Sequence, residues 1–453
     1  MSYEILIQKQ KAFFNTGQTR DINFRIENLK KLYQAISDFE DEIESALFDD
    51  LGKSKEESFA TEVGIVLSDL SYIIKNLKKW AKPKKVKTPL VLFPAKSYEF
   101  QEPFGIALIL SPWNYPFQLC INPLVGALAA GNTAILKPSS SSPHVASVIQ
   151  KMIAAIYHEE YVTTVTGPAK EADQLLSLKT DYIFFTGSIP VGKHVMEMAA
   201  KNLIPVTLEL GGKSPCIIDE TVDLKLAAKR IAFGKFINAG QTCIAPDYLL
   251  IKDSIKSEFI SYFKEAVESF YGTDPLTSNH YPKIINSKHV ERLKGLYLNE
   301  KVVVGGKFTD EKIEPTLIDQ ITFDSPIMQE EIFGPLLPMI TYDSIDDVLE
   351  KFQTIGKPLA FYLFSNNHKL VSKVLNHASF GGATVNDTLM HFVNHHLGFG
   401  GVGYSGFGAY HGKKSFMTFS HQKAVVKRGW FDLPLRYHPM TKKKANLLRK
   451  FLK

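Results

Sequence analysis

Ala107-Leu108-Ile109-Leu110-Ser111-Pro112-Trp113-Asn114 joins a short apolar run to a polar turn marked by proline. An unbroken apolar run of this length predicts a strand buried on both faces, and such strands belong to parallel sheets covered by helices. The pattern repeats outward. Strand-like runs recur at Thr133-Ala134-Ile135-Leu136, Val162-Thr163-Thr164-Val165, Tyr182-Ile183-Phe184-Phe185 and Pro205-Val206-Thr207-Leu208, with segments of helical length between them. Polar or glycine-rich turns follow, among them Lys137-Pro138-Ser139, Thr186-Gly187-Ser188 and Glu209-Leu210-Gly211-Gly212. Parallel sheets bind ligands at the carboxyl ends of their strands, so these turns are expected to converge. A second alternating series starts near Ser214 and includes Cys216-Ile217-Ile218, Leu249-Leu250-Ile251, Pro338-Met339-Ile340 and Phe361-Tyr362-Leu363. The break at Gly211-Gly212 predicts a domain boundary. Upstream, residues 1 to about 80 carry apolar residues at helical spacing, as in Leu29, Leu32, Ile36 and Ile43. Lys82-Pro83-Lys84-Lys85-Val86-Lys87-Thr88-Pro89 interrupts that pattern and reads as an exposed basic connector or edge. The fold class expected is α/β with two parallel-sheet domains.

With 453 residues the chain exceeds what one core usually serves. A hydrophobic share of 45% and a charged share of 22% are those of an ordinary globular enzyme. The net charge of +6 is mild over this length and gives no basis for nucleic-acid binding. Cys120, Cys216 and Cys243 lie far apart and lack zinc spacing, so free thiols in a reducing cytoplasm are expected. No run approaches the length of a membrane span, and the N-terminus does not read as a signal peptide. His395-His396 are adjacent and would diverge on a regular element, so no metal site is expected there.

Asn238-Ala239-Gly240-Gln241-Thr242-Cys243-Ile244-Ala245-Pro246 lies between a helix-like run and a strand-like run. A thiol on such a turn has backbone N–H groups nearby, an environment that suits a covalent nucleophile; the alternative is a small buried hydrophobe. Glu209 at a strand end faces the ligand edge and could take a proton from water, or serve as a cap or ion-pair partner. The amide of Asn114 can donate to a developing oxyanion, or make an Asx turn between prolines. Gly187-Ser188-Ile189-Pro190-Val191-Gly192-Lys193 follows a strand and opens a helix, a place where a phosphate can sit. Gly187, Gly192 and Lys193 nearly match a P-loop, but His194 stands where Ser or Thr would bind magnesium. Lys137 could bond a ribose or phosphate. Glu331 and Phe333 could offer a ribose bond and a stacking surface, or form an acidic turn beside a core aromatic.

Together and in this order, these pieces resemble the aldehyde dehydrogenase superfamily. The resemblance rests on Pro112-Trp113-Asn114-Tyr115-Pro116, Leu208-Glu209-Leu210-Gly211-Gly212-Lys213-Ser214-Pro215, Gly240-Gln241-Thr242-Cys243 and Glu330-Glu331-Ile332-Phe333-Gly334-Pro335. Phe399-Gly400-Gly401-Val402-Gly403-Tyr404-Ser405-Gly406 and Tyr410-His411-Gly412-Lys413-Lys414-Ser415-Phe416 are similar to the class 3 branch of fatty and aromatic aldehyde dehydrogenases. The resemblance implies a modified Rossmann NAD(P)-binding domain (1–80 and 101–210) and a catalytic domain (211–420). It also implies an oligomerisation extension with the C-terminal tail (81–100 and 421–453), and a homodimer. It casts Cys243 as nucleophile, Glu209 as base, and Asn114 with the Cys243 N–H as oxyanion hole. Lys137 and Ser140 fall at the adenosine ribose. Gly187, Ser188 and Gly192 would take the cofactor's pyrophosphate, and Glu331 and Phe333 the nicotinamide side. Tyr115, Thr242 and Ile244 would line an apolar aldehyde pocket.

Ser140 stands where many relatives carry a glutamate that bonds both ribose hydroxyls, so NADP is expected to be accepted as well as NAD. Leu397-Gly398-Phe399 lacks a proline usual in relatives and implies a looser loop. The tail Lys442 to Lys453 is basic and places Leu447, Leu448, Phe451 and Leu452 on one helical face, which allows weak peripheral membrane contact or packing on a dimer partner. The competing reading is a CoA-acylating relative, in which a thiol opens the thioester; Glu209 argues against it. An ATP-binding P-loop protein and a catalytically silent protein fit less of the pattern.

Overall fold

The computed structural model describes residues 2–432 and 436–452. Its centre is a six-stranded sheet in the order Gly406–Phe407, Val206–Leu210, Tyr182–Gly187, Ile106–Leu110, Thr133–Lys137, Val162–Thr164. The five longer strands run parallel, and Gly406–Phe407 adds antiparallel at one edge. Ile106–Leu110 comes first in the chain yet lies in the middle, so the strand order reverses beside it. Loops leaving neighbouring strands there go to opposite faces and open a crevice. Ile106 through Leu110 are all buried, because helices cover both faces and no side of the strand can be polar. One cover is the helix Gln118–Ala130, in which every residue is buried.

The second sheet has seven strands, in the order Lys301–Val304, Thr316–Asp319, Leu336–Thr341, Tyr248–Ile251, Pro215–Ile218, Ala360–Phe364, Gly382–Val385. All but Lys301–Val304 pair parallel with their neighbours. Its order also reverses, beside Pro215–Ile218. The segment expected as a connector or edge contributes Lys84–Val86 as an edge strand to a third, antiparallel sheet, with Lys96–Pro103 and Ser420–Lys427. Strand formation there comes from pairing rather than from an apolar pattern.

The N-terminal stretch is helical, as its periodicity predicts, with Ile22–Asp38, Glu40–Leu51 and Gly64–Trp80 as the main rods. Asp21 caps the first of these by accepting from the N–H of Asn23. The segment Phe59–Val63 is a π-helix joining Lys55–Ser58 to Gly64–Trp80. The tail forms a helix, Lys442–Leu452. Of the apolar face expected on it, the Phe451 side chain lies outside the described residues, as does Lys453. No helix among the described residues is long and apolar enough to cross a membrane.

Candidate active site

Three segments carry the candidate catalytic residues. Asn114 follows the central strand of the first sheet, Glu209 lies within the strand Val206–Leu210, and Cys243 follows the first crossover helix of the second sheet, Leu224–Phe236. That helix passes into a left-handed stretch, with φ of 52° at Asn238, 51° at Ala239 and 73° at Gly240. Two non-glycine residues in this region are costly and must be held by their surroundings. The Asn238 N–H donates to Glu57 Oε1 at 2.8 Å, and its side-chain amide donates to the carbonyls of Asn114 (2.7 Å) and Gln241 (3.1 Å). Gln241 donates to the carbonyls of Asn238 and Lys283 and accepts from the Ile285 N–H. The Asn114 amide donates to the Gln241 carbonyl at 3.0 Å. The Asn114 loop and the cysteine turn are therefore stitched directly together.

Burial pushes the Cys243 thiol up; the nearby carboxylates of Glu331 and Glu209 push it further, while the backbone N–H groups of Cys243 and Ile244 pull it back. Glu209 is 2% exposed, and neither carboxyl oxygen has a protein partner. Burial alone holds its carboxyl well above the usual range. A buried carboxyl without a partner costs stability, and such perturbed groups cluster at functional sites.

Tyr115 and Thr242 share a hydrogen bond of 2.7 Å between their hydroxyls, and the Ile244 carbonyl accepts from Tyr362 at 2.5 Å. Trp113 meets Phe333 edge to face, with ring centroids 5.4 Å apart. Phe333 itself has φ 49°. The Glu330–Gly334 loop is tied down by Lys213, which bonds Asp247 at 2.5 Å and the Glu330 carbonyl at 2.8 Å, and by Arg292, which bonds the Ile332 carbonyl at 2.6 Å. Burial first, then Asp247, raises the Glu331 carboxyl to about 8, although it accepts from the Gly212 N–H.

On the first sheet, Lys137 Nζ donates to the carbonyls of Pro138 (3.0 Å) and Gly167 (2.9 Å), and burial lowers its pKa. Ser140 is exposed beyond it. The helix Ile189–Ala200 starts after Gly187, and its N-cap Ser188 spends no side-chain bond on the helix. The open N–H groups of this first turn suit a pyrophosphate. Gly192 does a different job. Its N–H is already bonded to the Ser188 carbonyl, and a Cβ would sit 2.6 Å from Leu210, so it lets the helix pack on the neighbouring strand.

Sequence reasoning missed the supports: Lys53 in the turn after Glu40–Leu51, Glu57 and Glu62 in the helical stretch that follows it, and Tyr410, which senses the charges of both Glu209 and Cys243. Asn238 and Gln241 sat in the quoted cysteine stretch without an assigned role.

A family model described as the aldehyde dehydrogenase family matches residues 2–425. The 4,4'-diaponeurosporen-aldehyde dehydrogenase of Staphylococcus aureus is 51% identical over 92% of each chain. The dimeric NADP-preferring aldehyde dehydrogenase of Rattus norvegicus is 44% identical over 93% of each. A solved structure described as the substrate-bound state of Staphylococcus aureus AldH superposes with a TM-score of 0.98 over 100% of both chains, at 48% identity. The chain thus belongs to the aldehyde dehydrogenase family, and is an oxidoreductase that acts on aldehydes with NAD or NADP.

Proposed function

We propose that the aldehyde is oxidised while covalently attached to Cys243. The observation that supports this most directly is the meeting of a turn-borne thiol, an amide donor tied to the same turn, and a buried carboxyl with both oxygens unspent. The thiolate of Cys243 attacks the aldehyde carbon. The Asn114 amide and the Cys243 N–H hold the oxyanion. The dinucleotide, when bound, supplies the hydride acceptor. Loss of hydride leaves a thioester on Cys243, and Glu209 takes a proton from the water that hydrolyses it to the acid.

The side chains fit such a cofactor: Gly187 and Ser188 would hold the pyrophosphate, Lys137 and Ser140 the adenosine ribose, and Glu331 with Phe333 the nicotinamide end. The first sheet with residues 1–80 would then form the cofactor domain, the second sheet the catalytic domain, and the third sheet the oligomerisation extension. Tyr115, Thr242 and Ile244 would border the aldehyde. A cavity of about 460 Å³ lined by Phe59, Ile65, Leu67, Phe392 and Val393 with Asp69, His395 and His411 contains none of these three side chains, so a medium or long aliphatic or an aromatic tail is proposed from the family resemblance and not from that cavity. Each buried methylene should tighten binding about fourfold. The free cysteines fit a cytoplasmic setting, and the named dimeric relative supports a homodimer.

The test is Cys243→Ser. Hexanal oxidation, followed at the reduced-nicotinamide band, should fall roughly a thousandfold or more, and the acyl group trapped on wild-type protein should map to Cys243 by mass spectrometry. Undiminished turnover, or an acyl group on another side chain, would sink the reading. A rate that depends on added CoA would instead favour the acylating alternative.

A further inference from the structure

We propose that the buried ion pair Lys53–Glu62 is a positioning device for the oxyanion pocket, supplied by the N-terminal segment rather than by either catalytic loop. Both side chains are fully buried, and Lys53 Nζ lies 2.6 Å from Glu62 Oε1. The same ammonium donates to the Asn114 carbonyl at 3.4 Å and sits 4.0 Å from the centre of the Tyr115 ring. The other oxygen of Glu62 accepts from the N–H groups of Phe117 (2.9 Å) and Gln118 (3.2 Å). Those donors open the helix Gln118–Ala130, where a carboxylate also meets the positive end of the helix dipole. One ion pair therefore grips the loop 114–118 at both ends, and the amide assigned to the oxyanion stands at one of them.

The segment carrying Glu62 also reaches the opposite jaw. Glu57 accepts from the Asn238 N–H at 2.8 Å, and Asn238 donates to the Asn114 carbonyl at 2.7 Å. On a regular α-helix, residues five apart point about 140° away from each other. Here the π-helix Phe59–Val63 intervenes, and its wider i to i+5 turn brings Glu57 and Glu62 round to the same interior.

A buried ion pair is a poor source of stability, since well-packed apolar residues of similar volume do as well or better. What it supplies is direction. The ammonium and both carboxylate groups are bonded to backbone groups whose positions set where the Asn114 amide points. An oxyanion donor is effective only within a fraction of an ångström of its place.

This inference rests on the reading of Asn114 as oxyanion donor, and the experiment separates the two. The variants are Lys53→Met and the double Lys53→Met/Glu62→Gln, whose neutral side chains keep the volume; the amide introduced by Glu62→Gln can still accept from the Phe117 N–H. If Lys53→Met does not accumulate as folded protein, the double variant carries the test. Four quantities are read: kcat for hexanal, hydrolysis of p-nitrophenyl acetate without dinucleotide, KM for NAD, and the rate of Cys243 alkylation by iodoacetamide. Ester hydrolysis needs the nucleophile and the oxyanion donor but no cofactor; alkylation needs the thiol alone.

Positioning predicts that kcat and ester hydrolysis both fall roughly tenfold to a hundredfold, while KM for NAD and alkylation stay within about twofold. Equal losses in all four would mean general loosening and would overturn the proposal. So would unchanged kcat and ester hydrolysis in folded variants, provided Asn114→Ala loses about tenfold or more. An Asn114→Ala enzyme that keeps the wild-type rate would remove the oxyanion reading, and this inference with it.

Discussion

Glu209 and Cys243 share one interior. Burial first, then the charges of Glu331 and Glu209, raises the proton affinity of the thiol, and burial does the same for the Glu209 carboxyl. In the proposed mechanism both lose a proton, and burial opposes both losses. Aldehyde turnover should therefore rise steadily between about pH 6 and pH 9, and a kcat profile that falls over this range would contradict the assignment. Replacing Glu209 with Gln should stop the second half of the reaction while sparing the first. The expected result is a single burst of reduced dinucleotide, a thioester trapped on Cys243, and steady turnover down roughly a hundredfold or more. The same substitution should stabilise the fold. With its folded-state pKa raised, Glu209 binds its proton more tightly in the folded chain than in the unfolded one. The stability from that linkage is complete below the unfolded carboxylate range and is lost as pH rises. Gln carries no such loss, so its advantage over wild type should grow as pH rises above the ordinary carboxylate range, read from denaturant midpoints.

The cysteine turn is held by two elements that touch only because one residue lacks a side chain. Gly240 has φ 73°, and a Cβ there would run into the carbonyl oxygen of Gly334, in the loop that carries Glu331 and Phe333. Gly240→Ala should cost about 1–3 kcal/mol, from left-handed strain and that collision, and should lower kcat at the same time. A variant with wild-type stability and rate would show that the two loops need not approach so closely. This glycine and the cysteine were readable as a turn in sequence, because a helix pattern gives way to a strand pattern on either side. The strands were readable too: Ala107–Leu110 and Tyr182–Phe185 are apolar throughout, and burial on both faces demands that. Lys53, Glu57 and Glu62 were not, since charged residues in an amphipathic helical stretch look like its solvated face. The shared inward turn of Glu57 and Glu62 depends on a π-helix that no spacing rule exposes, and Lys53 sits in the turn before it. Gly406–Phe407 is two residues long and becomes a strand only because Leu208 and Glu209 wait beside it. Lys84–Val86 read as a charged connector or edge because its strand character comes only from pairing with Lys96–Pro103 and not from its own residues.

At the scale of the whole molecule, the third sheet and the tail leave apolar surface that a single chain does not cover. Leu90 is 75% exposed, Phe93 61%, Val426 52% and Phe431 61%, and Trp430 stands fully in solvent. The tail helix Lys442–Leu452 packs beside the 3-10 turn Leu90–Leu92, so the tail and that turn share one region of the surface. Ser420–Lys427 is an edge strand of that sheet with mostly exposed residues. Open edges beside exposed apolar side chains are where a second chain docks, and proteins that keep them usually pair them. A homodimer covering this region predicts light scattering at twice the 50.8 kDa of one chain. Val426→Asp should shift that mass toward the single chain while leaving hexanal oxidation per Cys243 within a few-fold, because the strand is remote in sequence from the catalytic loops. The basic face of the tail gives a rival occupant, an anionic bilayer, which attracts each lysine near its surface by about 1 kcal/mol. Co-sedimentation with phosphatidylserine vesicles separates the two: binding that disappears when residues 442–453 are deleted assigns the tail to lipid, and a dimer that dissociates on the same deletion assigns it to the partner chain.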